Sequence, residues 1–224
     1  MKIVMPNVEF VTPMSPEAGL VMLRRVELIG RTCYKSEGRI TTESAEAFVK
    51  NLIERGHESV LEHCSFSLRF ICDRGISHEI VRHRLASYSQ ESTRYCNYSN
   101  EKFCGEITVI QPCFFSPGSK QYERWAEICN DCEDAYFDLL ELGASPQQAR
   151  SVLPNSLKTE VVMTANIREW RHFFRLRCDR AAHPQMRQVA CMALEMCHRN
   201  IPVFFDDVYS DVFYGEEKQR EVER

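Results

Sequence analysis

Nine glycines stand at positions 19, 30, 38, 56, 75, 105, 118, 143 and 215, and no two are closer than eight residues. A glycine-rich phosphate loop needs two or three of them within about six positions, because only glycine lets the backbone approach a phosphate so closely. The spacing excludes the G-x-G-x-x-G dinucleotide fold, the P-loop and the G-x-S-x-G elbow in their usual forms. A nucleotide bound by this chain must instead rest on arginine side chains or on single helix N-termini. At 224 residues and 44% hydrophobic, the chain has material for one domain with a sizeable core. With 28 basic residues against 32 acidic ones, the net charge is −4, so any polyanion site must be local.

Strands and helices intersperse without a regular βαβ repeat, which predicts an α+β fold. The expected organisation is one domain over 1–215, with a mixed or antiparallel sheet flanked by helices, and a charged tail at 216–224. Lys2 to Val11 reads as a strand. Ser15-Pro16-Glu17 starts a helix reaching about Leu28, and Thr42 to Glu54 forms a second that stops at Gly56. Phe66, Leu68 and Phe70 alternate with Ser65, Ser67 and Arg69, the pattern of a half-buried strand over 64–72. Helical spacing returns from Gly75 to about Ala86. Glu106 to Gln111 is a strand and Lys120 to Leu142 the longest helix, followed by a short one after Ser145-Pro146. The apolar run 159–165 fits a strand or a helix start. Asn166 can cap a helix through about Cys178, and a last helix runs from Pro184 to about His198. The tail GEEKQREVER reads as a solvated or frayed end.

Six of the seven histidines lie in two windows, 57–83 and 172–183, and the same windows are rich in arginine. In the first, Arg82-His83-Arg84 precedes Ser87, Ser89, Ser92 and Arg94. If residues 82–84 are helical they point about 100° apart and cannot converge on one small anion. Either the ligand is large, or two ligands or subunits meet there. Hydroxyls followed by a guanidinium suit a phosphate monoester, although a polar loop has the same composition. In the second window Trp170, Phe173, Phe174 and Arg177 share one side of a helix, so Arg177 either snorkels outward or lines a pocket. Arg168 and His172 sit one turn apart on the neighbouring face. His57-Glu58 lacks the second histidine of H-E-x-x-H, since His63 is six residues on and on the wrong helical face, so no metal centre is expected.

Eleven cysteines, an odd number without regular spacing, argue against a disulfide framework. The single C-x-x-C, Cys129 and Cys132, has no second ligand pair and reads as two helix-borne thiols. The N-terminal MKIVMPNVEF lacks the apolar run of a signal peptide, and no stretch approaches the roughly 20 apolar residues of a spanning helix. A cytoplasmic protein that engages neither membrane nor nucleic acid is expected.

R-H-R, seven residues, then S-x-R, as Arg82-His83-Arg84, Ser92 and Arg94, resembles the signature of the flavin-dependent thymidylate synthases. GHESVLEH (Gly56 to His63), ARSVLPNSL (Ala149 to Leu157) and TANIREWRHFFRLR (Thr164 to Arg177) resemble three further blocks of that family, in the same order over roughly 120 residues. The resemblance implies that dUMP, methylenetetrahydrofolate and NADPH yield dTMP and tetrahydrofolate, with FAD carrying the hydride. It also implies a homotetramer whose active sites are shared between subunits, which answers the divergent directions of the R-H-R side chains. By position, the family's dUMP contacts fall on Glu79, Ile80, Val81, Arg82, Gln90, Glu91, Ser92, Thr93, Arg94, Arg150 and Arg177. Its FAD contacts fall on Ser59, Arg82, His83, Arg84, Gln90, Asn166, Ile167, Arg168 and His172, with His57 and Glu62 matching further positions near flavin and folate. Arg177 matches the catalytic arginine that engages the uracil and favours its N3-ionised form; a guanidinium beside a developing anion is the physical reason for arginine there. Glu79 stands where many relatives have glutamine, and Gln90 where some have glutamate. The competing readings are a nucleotide-sensing or RNA-binding module built on the same arginines, and a related flavoenzyme acting on another pyrimidine nucleotide.

Overall fold

The computed structural model describes residues 1–222, without the side chains of Lys102 and of 216–222. The chain forms two compact units: one of Met1–Val8, Arg69–Arg82 and Tyr88–Val162, the other of Glu9–Leu68, His83–Ser87 and residues from Met163 onward.

The expected strand at the N-terminus is two strands, β1 (Lys2–Val4) and β2 (Asn7–Phe10). Between them stands Pro6, which has no N–H to give to a ladder. Next come α1 (Pro16–Thr32), α2 (Ser44–Glu54) and a 3-10 stretch at Glu58–His63. They lead into β3 (Ser65–Asp73), α3 (Arg74–Ile80), β4 (Ala86–Gln90) and β5 (Thr108–Ile110). The long α4 (Lys120–Glu141), the short α5 (Pro146–Ala149) and β6 (Lys158–Asn166) follow. The chain ends with α6 (Ile167–Arg177), α7 (Pro184–Asn200) and α8 (Asp206–Val222). β1 pairs parallel with β5, Ile3 opposite Val109, while the other four strands form a sheet in the order β2-β3-β6-β4. Strands and helices are thus interspersed as the α+β reading requires.

Local chemistry explains most boundaries. The Ser15 hydroxyl accepts from the Ala18 amide at 3.2 Å, and Pro16 occupies the first turn of α1. Gly30 lets α1 pass close to α2, because a Cβ there would meet the Phe48 ring at 2.8 Å. Gly143 ends α4 with φ near +89°, a conformation that costs glycine little. Along β3 and β6 burial alternates residue by residue, with Thr159, Val161, Met163 and Ala165 inward, so the ambiguous run 159–165 is strand.

Two expectations fail. The helix anticipated from Gly75 to Ala86 stops at Ile80, whose carbonyl accepts from the Tyr88 hydroxyl at 3.1 Å once β4 returns. Residues 82–84 are therefore not helical, and Ala86–Gln90 is strand rather than loop. The segment expected to fray belongs instead to α8, whose first turn carries Asp206 and Asp207 against the positive end of the helix dipole. Residues 223 and 224 lie outside the described residues.

Candidate active site

In the second unit the site is mounted on α6. The Asn166 side chain accepts from the Glu169 amide at 2.8 Å and fixes the start of the helix. Trp170, Phe173 and Phe174 are fully buried, and Trp170 Nε1 donates to the Phe66 carbonyl at 3.2 Å. Burying each phenylalanine is worth about 2 kcal/mol. With that face anchored, the polar side chains of α6 are held at fixed angles.

Arg177 does not snorkel. Its Nε donates to His83 Nε2 at 2.9 Å, joining the middle of the R-H-R signature to the last turn of α6. His83 is 4% exposed and packs edge-on to the Phe173 ring at 4.8 Å. Burial, reinforced by the positive charges of Arg177 and His172, pulls its pKa down to about 4. The imidazole is therefore neutral near pH 7. Because Nε2 accepts from an arginine, its single proton lies on Nδ1, which faces Glu169 Oε1 at 3.4 Å. His83, Glu169 and His172 come close enough to hold a cation geometrically. Arg177 argues against that use: a metal on Nδ1 would put the proton on Nε2, donor against donor.

Arg84, Asn166, Arg168 and His172 line one cavity of about 450 Å³, together with Glu58, Glu62, Leu85, Glu169 and Arg175. Arg168 pairs with Glu62 at 2.6 Å, which raises its pKa through that hydrogen bond. Arg84, Arg168, His172 and Arg175 are all exposed. Three arginines share this open cavity with Glu58, Glu62 and Glu169. Arg168 and Arg175 are ion-paired to Glu62 and Glu58, which leaves Arg84 beside the exposed His172. Guanidinium and imidazole donors there fit an anionic ligand such as the flavin dinucleotide. Ser59 and His57 are exposed as well, whereas Ile167 is fully buried and offers a ligand only its backbone.

Beneath this cavity lies a residue that the sequence reading missed. Arg171 is fully buried; it donates to both Asp207 oxygens at 2.7 and 2.6 Å, to Glu58 at 3.0 Å and to the Phe204 carbonyl at 2.5 Å. Burial opposes its charge, but Asp207 and Glu58 outweigh it and the pKa is raised. Asp207 is held below the usual carboxylate range: burial would raise it, and Arg171 overrides that. The available signal was positional, since Arg171 is bracketed by Ile167 four residues before it and Phe174 three after it, both inward-facing.

In the first unit the phosphate-type segment 90–94 is organised by its own partners. Gln90 Nε2 donates to Ser77 at 2.9 Å and to Thr159 at 3.3 Å. Arg150 Nη1 donates to Thr93 Oγ1 at 3.1 Å, so the A-R-x-x-L-P block does reach this segment. Lys158 bridges Glu91 at 3.1 Å and Glu160 at 2.6 Å, and these carboxylates raise its pKa against the effect of burial. Arg82 and Arg94 are exposed, Glu79, Val81 and Ser92 are half-buried, and Ile80 is fully buried. The eleven cysteines are free thiols, and Cys129 and Cys132 lie on α4 as anticipated.

The family model described as thymidylate synthase complementing protein matches residues 22–203. The flavin-dependent thymidylate synthase of Geobacter sulfurreducens is 35% identical over 189 residues, covering 81% of this chain and 80% of that protein. This chain belongs to the flavin-dependent thymidylate synthase family. The Mycolicibacterium gilvum member is 32% identical over 214 residues, covering 90% of this chain and 84% of its own, and that of Pyrococcus furiosus is 34% identical over 167, covering 74% and 68%. Among solved structures, the UMP/dUMP methylase PolB from Streptomyces cacaoi, bound with 5-Br dUMP, superposes with a TM-score of 0.68 at 22% identity, covering 92% of this chain and 96% of that one. It shares the fold. Within the family frame, His83, Arg84, Asn166, Arg168, His172 and Arg177 come together in one unit, and Gln90, Thr93 and Arg150 in the other.

Proposed function

We propose that the protein methylates dUMP to dTMP with FAD as bound cofactor, methylenetetrahydrofolate as carbon donor and NADPH as reductant, working in the cytoplasm as a homotetramer with active sites shared between subunits over the 1–215 domain. The observation that carries this reading is the cavity on α6, where Arg84 joins Asn166, Arg168 and His172, about 80 residues further along the chain, in one lining. When bound, the flavin supplies the hydride that completes the methyl group. The protein's own part is to bind and polarise. Arg84, Arg168 and His172 hold the flavin from the cavity; Arg82, Ser92, Arg94 and Arg150 hold the phosphate of dUMP with charged and hydroxyl donors. Arg177, set on an apolar helix face, stabilises negative charge on the uracil ring where the lowered dielectric strengthens the interaction. A module that only tracked phosphates would gain nothing from an arginine oriented by a buried neutral histidine.

Flavin binding tests the cavity. Titration followed by flavin fluorescence should show saturable FAD binding that weakens about tenfold in Arg168→Ala and His172→Ala, while Arg177→Ala keeps its FAD. Absence of saturable binding in the wild type would overturn the reading.

A further inference from the structure

We infer that Glu169 is a positioning residue for the proposed reaction, acting through His83 on Arg177. The inference deepens that function and rests on it.

Three observations converge. First, Arg177 Nε donates to His83 Nε2 at 2.9 Å, so the direction in which the guanidinium presents its remaining donors is set by where the imidazole sits. Second, the buried imidazole presents Nδ1 to Glu169 Oε1 at 3.4 Å, and that oxygen is buried with no hydrogen-bond partner among the described residues. A buried carboxylate oxygen without a donor is costly, and the ring N–H is the donor at hand. Third, Glu169 is fixed independently, because its own amide is bonded to Asn166 at the start of α6. Glu169, His83 and Arg177 thus form a chain that begins at a cap and ends at the guanidinium. The separation of 3.4 Å is longer than a settled N–H···O bond, as catalytic contacts commonly are before ligand binding. His172 also faces His83, with ring centroids 5.8 Å apart, but it is exposed on the cavity side and free to turn toward a ligand.

The relay has a distinctive consequence for substitution. Arg177 cannot accept a hydrogen bond, so His83 keeps its hydrogen on Nδ1 for as long as Nε2 faces that guanidinium. A glutamine at 169 would turn its carbonyl oxygen to that hydrogen and preserve the chain. An alanine would leave the ring free to rotate.

The test combines a spectroscopic and a kinetic readout on the full-length protein. Nitrogen-15 spectra of histidine-labelled protein, with His83 assigned by loss of its signal in His83→Gln, report which ring nitrogen carries the proton. The expected result is the Nδ1–H form in the wild type and in Glu169→Gln, and a mixed population in Glu169→Ala. At saturating FAD, kcat should fall about tenfold in Glu169→Ala and stay within about threefold of wild type in Glu169→Gln, with unchanged thermal midpoints in both. An Nε2–H form in the wild type, or an alanine variant that keeps both its tautomer and its kcat, would overturn the relay. A wild type that makes no dTMP would instead sink the function, and the spectra would still decide the relay.

Discussion

The arginines of α6 and those of the R-H-R segment come from similar-looking sequence and differ in what holds them. On α6, Arg168, Arg171, Arg175 and Arg177 are each tied to a partner across the chain: Glu62, Asp207 with Glu58, Asp207, and His83. In the other stretch Arg82, Arg84 and Arg94 are exposed on the turns that flank β4. A helix whose apolar face is buried can hold charged groups at fixed angles, and those groups then need fixed partners. A turn that leaves its arginines in solvent has donors in reserve for a ligand. In the proposed function Arg171 and Arg177 are held in place by the fold, whereas Arg82, Arg84 and Arg94 stand open for a ligand.

That contrast is breakable. The largest effect is expected at Arg177: replacement by alanine should lower turnover at least about 100-fold, with FAD still bound, and near-normal turnover would show that α6 carries no catalyst. Next is Arg171. Arg171→Met leaves Asp207 and Glu58 with only the exposed Arg175 as a cation, and chemical denaturation should show a loss of about 3 kcal/mol. Because the pKa of Asp207 is lowered by folding, its contribution is present above the ordinary carboxylate range and fades as pH falls through it. The gap between wild type and Arg171→Met should accordingly narrow in acid, and a gap independent of pH would remove the ion pair as its cause.

A third test concerns His83, faced by Arg177, Glu169 and His172. Its folded pKa of about 4 lies below the ordinary 6.5, so the unfolded chain takes up a proton first as pH falls. Stability should be complete above pH 6.5 and decline between 6.5 and about 4, by up to about 3 kcal/mol. His83→Gln should erase that limb. The smallest effect belongs to the open arginines: Arg94→Ala should raise the Kd for dUMP about tenfold and steepen nothing else, since one charge-assisted bond to phosphate is lost. Unchanged dUMP affinity would take Arg94 out of the phosphate site.

Much of this was legible in the sequence because it depends on local pattern. The alternation of Phe66, Leu68 and Phe70, the caps Ser15 and Asn166 and the stop at Gly143 each act within a few residues, and the elements formed where they point. The spacing of the signature blocks led to the family. What stayed hidden depends on contacts made far along the chain. Helical spacing around 75–86 lost to the pairing of β4 beside β6. Arg171 looked like one more charged residue in a basic window, because its partners Glu58 and Asp207 lie 113 and 36 residues away. The choice between snorkel and pocket at Arg177 likewise turned on His83, 94 residues earlier.

The most direct measurement is dTMP formation from dUMP, methylenetetrahydrofolate and NADPH, run anaerobically with the full-length protein, with and without added FAD. Product that appears only with the flavin is the predicted result. Folded, FAD-supplied protein that forms no dTMP would contradict it and mark the arginine windows as a nucleotide-binding device without this chemistry.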